Sequence, residues 1–350
     1  MEKQLIRTIY DSVGADAVVV TQDDLRLYLT GFSSTFGVIV IDSDGASFYT
    51  DSRYLEAAKA QIPDLFSVKE YPKKTRLAEL LKGYKSLGID FGKTFAEDYI
   101  SLKDFGYVLK DSSAAFRKAM SVKSERELKN ITLACNAADK AFCELIPSIK
   151  EGMTENECAA LLEYLMRKHG ASGVSFETIC AFGANGSVPH HETGAAKLKF
   201  GDIVLVDFGC KVNGYCSDCT RTFLFGDDKN HEDFKNAYSR VLEAHMLVKD
   251  KFKAGMKGSE GDAIARDYLK AFNLDRYFTH SLGHSLGVNI HEYPNLSPAC
   301  DEIFTDGMVF SDEPGVYFEG KFGIRIEDTV CLRGGSVVSL TNTDKNLIIL

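Results

Sequence analysis

The most informative segments of this sequence are GDIVLVDFG at residues 201–209 and GMVFSDEPG at residues 307–315. Each begins with glycine, continues with apolar residues, and has an acidic residue two positions before a second glycine. A short apolar run bounded by glycines predicts a buried strand. The acidic residue at its end therefore predicts a carboxylate held where the strand stops.

Three further pairs of segments recur in the same order, which indicates an internal duplication. The matches, at offsets of 106, 103 and 109 residues, are 127–130 with 233–236, 152–153 with 255–256, and 218–220 with 327–329. A histidine cluster follows the helical pattern of each half. Self-similarity of this kind predicts two halves related by a pseudo-twofold axis, with a site where they meet.

The chain of 350 residues is long enough for two domains. Its first 120 residues or so alternate strand patterns, at 17–20, 37–41 and 47–50, with a helical pattern at 53–61. Capping boxes then open two long helices, because Ser124 and Thr154 are each followed by glutamate three positions later. The second of these helices should run to His169 and stop at Gly170. We place the domain boundary near Val122.

The charge balance excludes several classes of partner. With 41 basic and 50 acidic residues the net charge is −9, which argues against nucleic acid and anionic membrane surfaces. No apolar run approaches the roughly 20 residues of a membrane helix, and the first residues lack the layout of a signal peptide. Nine scattered cysteines show no disulfide framework, so we expect a cytoplasmic protein.

The first pair of acids is placed by a hairpin. Asn213-Gly214 is a strong two-residue turn signal, and folding about it sets Asp207 opposite Thr220. Asp218 then lies on the same face, at roughly 7–8 Å along the diagonal. Two such carboxylates repel each other unless a cation lies between them. The alternative is that both are solvated surface acids.

The second pair repeats this arrangement. A three-residue loop at 319–321 sets Glu313 opposite Glu327, whereas a two-residue turn would place them on opposite faces. The internal repeat favours the three-residue loop. With His284, which lies in a glycine-rich segment, the four carboxylates make a set of oxygen ligands with one nitrogen. That set suits two ions of Mn²⁺, Co²⁺, Zn²⁺ or Fe²⁺ better than a single structural zinc, and two ions can share a hydroxide nucleophile.

These motifs resemble the metal-dependent pita-bread peptidases of the Xaa-Pro aminopeptidase and prolidase family. The resemblance spans nearly the whole chain, and its first part, YLTGF at 28–32 and TDSRY at 50–54, resembles the creatinase/prolidase N-terminal domain. The catalytic motifs are VDFG at 206–209, SDCTRT at 217–222, GHSLG at 283–287 with His291-Glu292, EPGVY at 313–317 and GIRIED at 323–328; PHH at 189–191 matches the family's Pro-His segment.

The resemblance implies an α+β fold. A smaller α/β creatinase-like domain at 1–122 would precede a pita-bread catalytic domain with an internal repeat at 123–350. Asp207 would bind one ion, Asp218 and Glu327 would bridge the two, and His284 and Glu313 would complete the other. We expect manganese first, with Co²⁺, Zn²⁺ or Fe²⁺ as alternatives. The family also forms homodimers.

Further roles follow from the same resemblance. His190 and His291 would hold the substrate and stabilise the oxyanion, while Glu313 would also take a proton from the bridging water. Arg325 would orient Glu327, although simple surface exposure is the alternative for it. His280 suits a structural role as well as a catalytic one. Asp312 stands where the family usually has an uncharged residue, so it either tunes the metal charge or points to the other face.

Four functions compete. The first is an Xaa-Pro aminopeptidase, which acts on peptides with proline in second position, and the second is a prolidase, which cleaves only Xaa-Pro dipeptides. A methionine aminopeptidase would share the five ligands, but such enzymes resemble only the C-terminal part. A non-hydrolytic creatinase-like or binding protein would have lost the ligands, and this chain keeps all five. We rank the aminopeptidase first and the prolidase close behind it.

Overall fold

The computed structural model describes residues 2–227 and 231–350, which divide into two compact units. The first unit ends at Met120 and the second begins at Ser121. Within these described ranges, no helix has the length and apolar character needed to cross a membrane.

The N-terminal unit is built on a mixed six-stranded sheet of order β4-β3-β2-β1-β5-β6. Strand β1 pairs antiparallel with β2 and parallel with β5, and it is buried along its whole length. The three strands and the helix predicted here are confirmed, with small shifts at their ends. The elements are α1 (Glu2–Val13), β1 (Ala17–Val20), α2 (Asp23–Thr30), β2 (Val38–Asp42), β3 (Gly45–Thr50), α3 (Leu55–Gln61), β4 (Phe66–Glu70), α4 (Leu77–Leu80), β5 (Ser86–Ile89), α5 (Ala96–Asp104), β6 (Val108–Asp111) and α6 (Ser113–Ser121).

The C-terminal unit has two halves, each with two helices followed by a strand hairpin that bears acidic residues. The first half contains α7 (Glu125–Leu145), α8 (Glu155–Lys168), β7 (Gly173–Val174), β8 (Ile179–Phe182), β9 (Asp202–Phe208), β10 (Cys210–Val212), β11 (Tyr215–Cys216) and β12 (Cys219–Phe225). The second contains α9 (Glu232–Lys251), α10 (Gly258–Lys270), β13 (Gly283–Ser285), β14 (Glu292–Leu296), β15 (Val309–Asp312), β16 (Gly315–Phe318), β17 (Phe322–Arg325), β18 (Asp328–Arg333) and β19 (Ser336–Ser339). The repeated order of elements confirms the predicted duplication.

Both predicted capping boxes are present. The Glu127 carboxylate accepts from the Ser124 backbone N–H at 2.9 Å, while the Ser124 hydroxyl accepts from the Glu127 N–H. Thr154 and Glu157 make the same exchange at the start of α8. These bonds satisfy N–H groups that a helix start leaves without partners.

The register of both acidic hairpins agrees with the prediction. Asn213 and Gly214 adopt the positive φ angles of a tight two-residue turn, and Thr220 pairs with Asp207. In the second hairpin Phe318 pairs with Phe322 across the three-residue loop. The same register pairs Asp312 with Asp328, which places the adjacent Glu313 opposite Glu327.

Each hairpin packs against the helices of its own half. Phe142 of α7 stacks on Phe208 with ring centroids 5.4 Å apart, inside a cluster of buried apolar side chains. In the second half, Val241 and Val248 of α9 belong to the cluster that includes Phe310. These two cores hold the hairpins rigid, so the side chains at their open ends have fixed positions.

Candidate active site

A cavity of about 710 Å³ lies in the C-terminal unit. All nine residues proposed from the sequence line this one cavity: His190, Asp207, Asp218, His280, His284, His291, Glu313, Arg325 and Glu327. They come from both halves of the duplication, which are about a hundred residues apart in the chain. The site therefore forms only when the two hairpins meet.

Hydrogen bonds donated by backbone N–H groups join the two hairpins next to the acids. The Glu327 N–H donates to the Thr220 carbonyl oxygen at 3.1 Å, and the Asp218 N–H donates to the Thr329 hydroxyl at 3.0 Å. Asp218 and Glu327 are almost fully buried at this junction. The junction thus holds one acid of each half against the other.

Five side chains form a possible ligand set. The Nε2 atom of His284 lies 3.5 Å from Oδ2 of Asp218 and 3.4 Å from Oε1 of Glu313. Asp218, His284 and Glu327 each present a ligand atom within 4.8 Å of the others. Oδ1 of Asp207 is buried and has no hydrogen-bond partner among the residues that the structure describes. This donor set fits divalent metal ions that prefer oxygen with some nitrogen.

The acids are electrostatically strained without a cation. Burial and the Glu327 carboxylate raise the pKa of Asp218 well above its usual range, and burial with Glu313 does the same to the pKa of Glu327. Burial also raises the pKa of Glu313 to about 7. Carboxylates this close either hold a proton or share a cation.

The histidine next to these acids is prepared to ligate. Burial lowers the pKa of His284, which favours the neutral imidazole. Its Nδ1 atom lies 3.2 Å from the Ser285 carbonyl oxygen, which requires the proton on Nδ1 and leaves the Nε2 lone pair facing the carboxylates. The ring of His291 lies beside it, with centroids 4.3 Å apart.

Arg325 connects the two halves. Its Nη2 donates to Oδ2 of Asp207 at 2.5 Å, and its Nε donates to the Thr220 hydroxyl at 2.9 Å. That hydroxyl donates to Oε2 of Glu327 at 2.6 Å. Arg325 is buried, so the alternative of surface exposure is wrong, and it reaches Glu327 through Thr220. Thr220 was missed as a site residue, although the predicted register already placed it opposite Asp207.

His280 is hydrogen-bonded through both ring nitrogens. Nδ1 donates to the Ser281 carbonyl oxygen at 2.8 Å, and Nε2 accepts from the Tyr317 hydroxyl at 3.0 Å. Tyr317 in turn accepts from Nη1 of Arg325. Burial and the Arg325 charge lower the pKa of His280 to about 4, so the ring is neutral at pH 7. The sequence offered no signal for the part that Tyr317 plays.

Asp312 points away from the cavity. It is fully buried, and its Oδ2 lies 3.1 Å from Nδ1 of His245 on α9. His245 also faces Asp328 at 3.6 Å, and Asp328 pairs with Arg221 at 2.8 Å. Of the two interpretations of Asp312, the structure therefore favours the one in which it faces the opposite side of the strand.

Comparisons with known proteins match both parts of the chain. Residues 129–333 match the model of metallopeptidase family M24, and residues 3–119 match that of the Creatinase/Prolidase N-terminal domain. A solved Xaa-Pro dipeptidase from Bacillus anthracis has a TM-score of 0.94 and 33% identity, covering 100% of this chain and 99% of its own. An X-Pro aminopeptidase from Thermotoga maritima has a TM-score of 0.91 and 32% identity, covering 98% and 99%. An Xaa-Pro dipeptidase from Pyrococcus horikoshii is 34% identical in sequence over 97% of this chain and 96% of its own.

Proposed function

This chain belongs to metallopeptidase family M24, and we propose that it is an Xaa-Pro aminopeptidase. Such an enzyme removes the N-terminal residue of a peptide whose second residue is proline. Family membership confirms the predicted enzyme class and the α+β fold with a creatinase-like N-terminal domain. Since every residue that lines the cavity lies beyond Val122, we assign catalysis to residues 123–350 and leave residues 1–122 as the N-terminal domain.

The observation that carries this proposal is the set of four carboxylates and one imidazole, each buried or half-buried, in a single cavity. We propose that it holds two divalent ions, Mn²⁺ first and Co²⁺, Zn²⁺ or Fe²⁺ as alternatives. Asp207 would hold one ion, Asp218 and Glu327 both, and His284 with Glu313 the other. When bound, the ions would supply an activated water and polarise the scissile carbonyl. The unpaired Oδ1 of Asp207 and the raised pKa of Asp218 support this assignment.

The remaining residues have the properties their proposed roles require. Glu313 would accept the proton of the attacking water, since it lines the cavity beside His284 and the Ser311 hydroxyl holds its Oε1 at 2.8 Å. His190 and His291 are exposed to the cavity, where each can donate to substrate or to the tetrahedral oxyanion. His280 would serve to hold Tyr317 in place.

The charges of the cavity favour an aminopeptidase over a prolidase. The C-terminal carboxylate of an Xaa-Pro dipeptide lies next to the scissile bond and needs a cationic partner. Among the described residues that line the cavity, Arg325 is the sole lysine or arginine, and its Nε, Nη1 and Nη2 already bind Thr220, Tyr317 and Asp207. A longer peptide carries no carboxylate at that place. Prolidase stays the second candidate because two of the similar proteins are named Xaa-Pro dipeptidase.

Three matched substrates test this choice: an Xaa-Pro dipeptide, the same dipeptide as its C-terminal amide, and an Xaa-Pro tripeptide. The amide has nearly the same shape as the dipeptide but lacks its negative charge, so the pair tests what the carboxylate contributes. We expect kcat/KM to be higher for the amide and the tripeptide than for the dipeptide. Cleavage of the dipeptide alone would identify a prolidase.

Metal removal tests the site. Exhaustive chelation should abolish activity, and added Mn²⁺ should restore it, with two ions per chain by elemental analysis. Unchanged activity in protein shown to be free of metal would rule out the proposed chemistry.

The family resemblance further implies a homodimer, which sedimentation equilibrium can measure. All nine cysteines lie in described residues as free thiols, in keeping with a cytoplasmic location.

A further inference from the structure

Glu155, the first residue of α8, is a fully buried carboxylate that accepts four hydrogen bonds. Its Oε1 accepts from the Phe182 backbone N–H at 2.9 Å and from Nδ2 of Asn185 at 2.8 Å. Its Oε2 accepts from Nε2 of His191 at 2.9 Å and from the Gly194 backbone N–H at 3.0 Å. Every acceptor direction of this carboxylate is thus used.

The four donors belong to one segment, residues 182–194, which leaves strand β8 and returns to the start of α8. Phe182 stands at its beginning and Gly194 at its end. His190 lies between them, and its exposed ring lines the cavity. Because a single carboxylate holds both ends of the segment and the residue next to His190, it limits where the His190 backbone can lie.

Glutamate suits this position for two reasons. The N-terminus of a helix favours negative charge in its first turn, where Glu155 stands. Although burial opposes ionisation, the hydrogen bonds from Asn185 and His191 lower the pKa of Glu155. Its backbone N–H also donates to the Ala196 carbonyl oxygen at 3.0 Å, so the main chain holds the same return segment.

We propose that Glu155 and His191 are positioning residues for His190. They hold the 182–194 segment so that the His190 imidazole faces the reacting carbonyl, and they lie outside the set of metal ligands. The role of His190 rests on the proposed function, whereas the hold on the segment does not. When a side chain that donates a hydrogen bond to the substrate is displaced by about 1 Å, the reaction rate can fall by about two orders of magnitude.

The central variant is Glu155→Gln, which keeps the size of the side chain but turns one acceptor oxygen into a donor that faces other donors. We expect kcat to fall about 10–100-fold, with KM changed far less and with metal content unchanged. Hydrogen exchange should speed up at the amides of residues 182–194. The matched control is Glu157→Gln on the same helix, whose carboxylate is exposed and, among the described residues, bonds only within its capping box. It should leave kcat and exchange in the segment unchanged.

A second pair of variants keeps the proposal testable if Glu155→Gln does not fold. His191→Gln retains an N–H donor close to the place of Nε2, while His191→Leu removes it. We expect His191→Leu to lower kcat and His191→Gln to restore most of it. Equal kcat in these two variants would overturn the role of His191.

The measurements separate three failures. Unchanged exchange in a folded Glu155→Gln variant would show that the carboxylate does not hold the segment. Faster exchange with wild-type kcat would show a purely structural hold, which also overturns the proposal. If the wild type does not cleave Xaa-Pro peptides, the proposed function fails, while the exchange data still decide whether Glu155 holds the segment.

Discussion

The two acidic hairpins of the C-terminal unit differ both in register and in what surrounds them on their buried side: Asp207 lies opposite Thr220 in the first, whereas Glu313 lies opposite Glu327 in the second. Behind Asp207 and Asp218, the neighbouring residues Val206 and Cys219 belong to the apolar cluster of the first half. Helix α7 faces them with small side chains such as Ala134 and Ala138. The first pair of acids therefore rests on an ordinary hydrophobic core.

At the equivalent positions of the second hairpin stand two buried acids, Asp312 and Asp328. Burial raises the pKa of Asp312 to about 7. Although burial acts in the same direction on Asp328, Arg221, His245 and Lys345 lower the pKa of that carboxyl well below its usual range. The second pair of acids thus rests on a buried cluster of charges that balance one another.

Each register brings its pair of carboxylates to the cavity, and we expect the side chains behind the strands to affect stability instead. Successive residues of a strand face opposite sides. The residue next to each cavity-facing carboxylate therefore lies buried on the far side of the strand, whether it is apolar or charged. The carboxylates face the cavity in both hairpins, although apolar side chains lie behind the first and charged side chains lie behind the second. We therefore expect substitutions on the cavity side to act alike in the two halves, and substitutions behind the strands to differ.

The largest effect should come from removing a ligand in either half. If Asp218 and Glu327 bridge two ions as proposed, Asp218→Ala and Glu327→Ala should each lower kcat/KM at least ~10³-fold, because loss of a shared ligand removes several kcal/mol of stabilisation. Steady-state kinetics with metal analysis checks this. Full turnover by a metal-replete Asp218→Ala variant would rule out a two-ion mechanism, and a large difference between the two variants would break the equivalence of the halves.

Behind the strands, the second half should be the more sensitive. His245→Leu leaves Asp312 buried without its partner and should cost about 3–5 kcal/mol of unfolding free energy. Val206→Ala, at the position in the first half equivalent to Asp312, removes only buried apolar groups and should cost about 2 kcal/mol. Urea unfolding of both variants measures the difference. Equal losses of unfolding free energy in the two variants would mean that the charged cluster behind the second hairpin is no more sensitive to substitution than the apolar cluster behind the first.

His280 of the second half should make the stability of the fold depend on pH. Burial and the nearby Arg325 charge lower the pKa of this half-buried side chain from 6.5 to about 4. Its neutral form stabilises the fold above pH 6.5, and that contribution is lost as the pH falls toward 4. Relative to His280→Asn, the metal-free wild type should lose about 2 kcal/mol between pH 7 and pH 5. A constant difference in unfolding free energy would contradict the burial of a neutral ring.

The smallest effect distinguishes two equivalent threonines. The Thr220 hydroxyl donates to the Glu327 carboxylate, while the Thr329 hydroxyl donates to the Asp218 backbone carbonyl oxygen. Thr220→Val should therefore weaken metal affinity about tenfold. Thr329→Val should lower stability by about 1 kcal/mol and leave metal affinity within about threefold. Calorimetric titration of the metal-free variants gives both affinities, and equal losses would show that the threonines act alike.

Local signals were enough to predict much of the fold and the candidate ligands. Asn213-Gly214 sets the first register because a two-residue loop requires positive φ angles there. The repeat then selected the correct loop at 319–321 for the second hairpin. Capping boxes marked the starts of α7 and α8, since their hydrogen bonds join residues three positions apart.

The contacts that could not be predicted join residues far apart in the chain. His245 meets Asp312 across 67 positions, and Glu155 meets Gly194 across 39. Neither pair produces a periodicity, a turn signal or a spacing that a sequence pattern could reveal. Thr220 was predicted in part. Its position opposite Asp207 followed from the sequence, but its contact with Glu327 depends on how the other hairpin packs.

The sequence by itself determined the strands, the turns, the duplication and the family motifs, because each depends on backbone preferences within a few residues or on a repeat visible in the chain. The tertiary structure alone decided how the two hairpins meet, that Arg325 binds Asp207, and that Glu155 holds the His190 segment. Those contacts depend on packing between elements, where helix position and side-chain volume choose each partner.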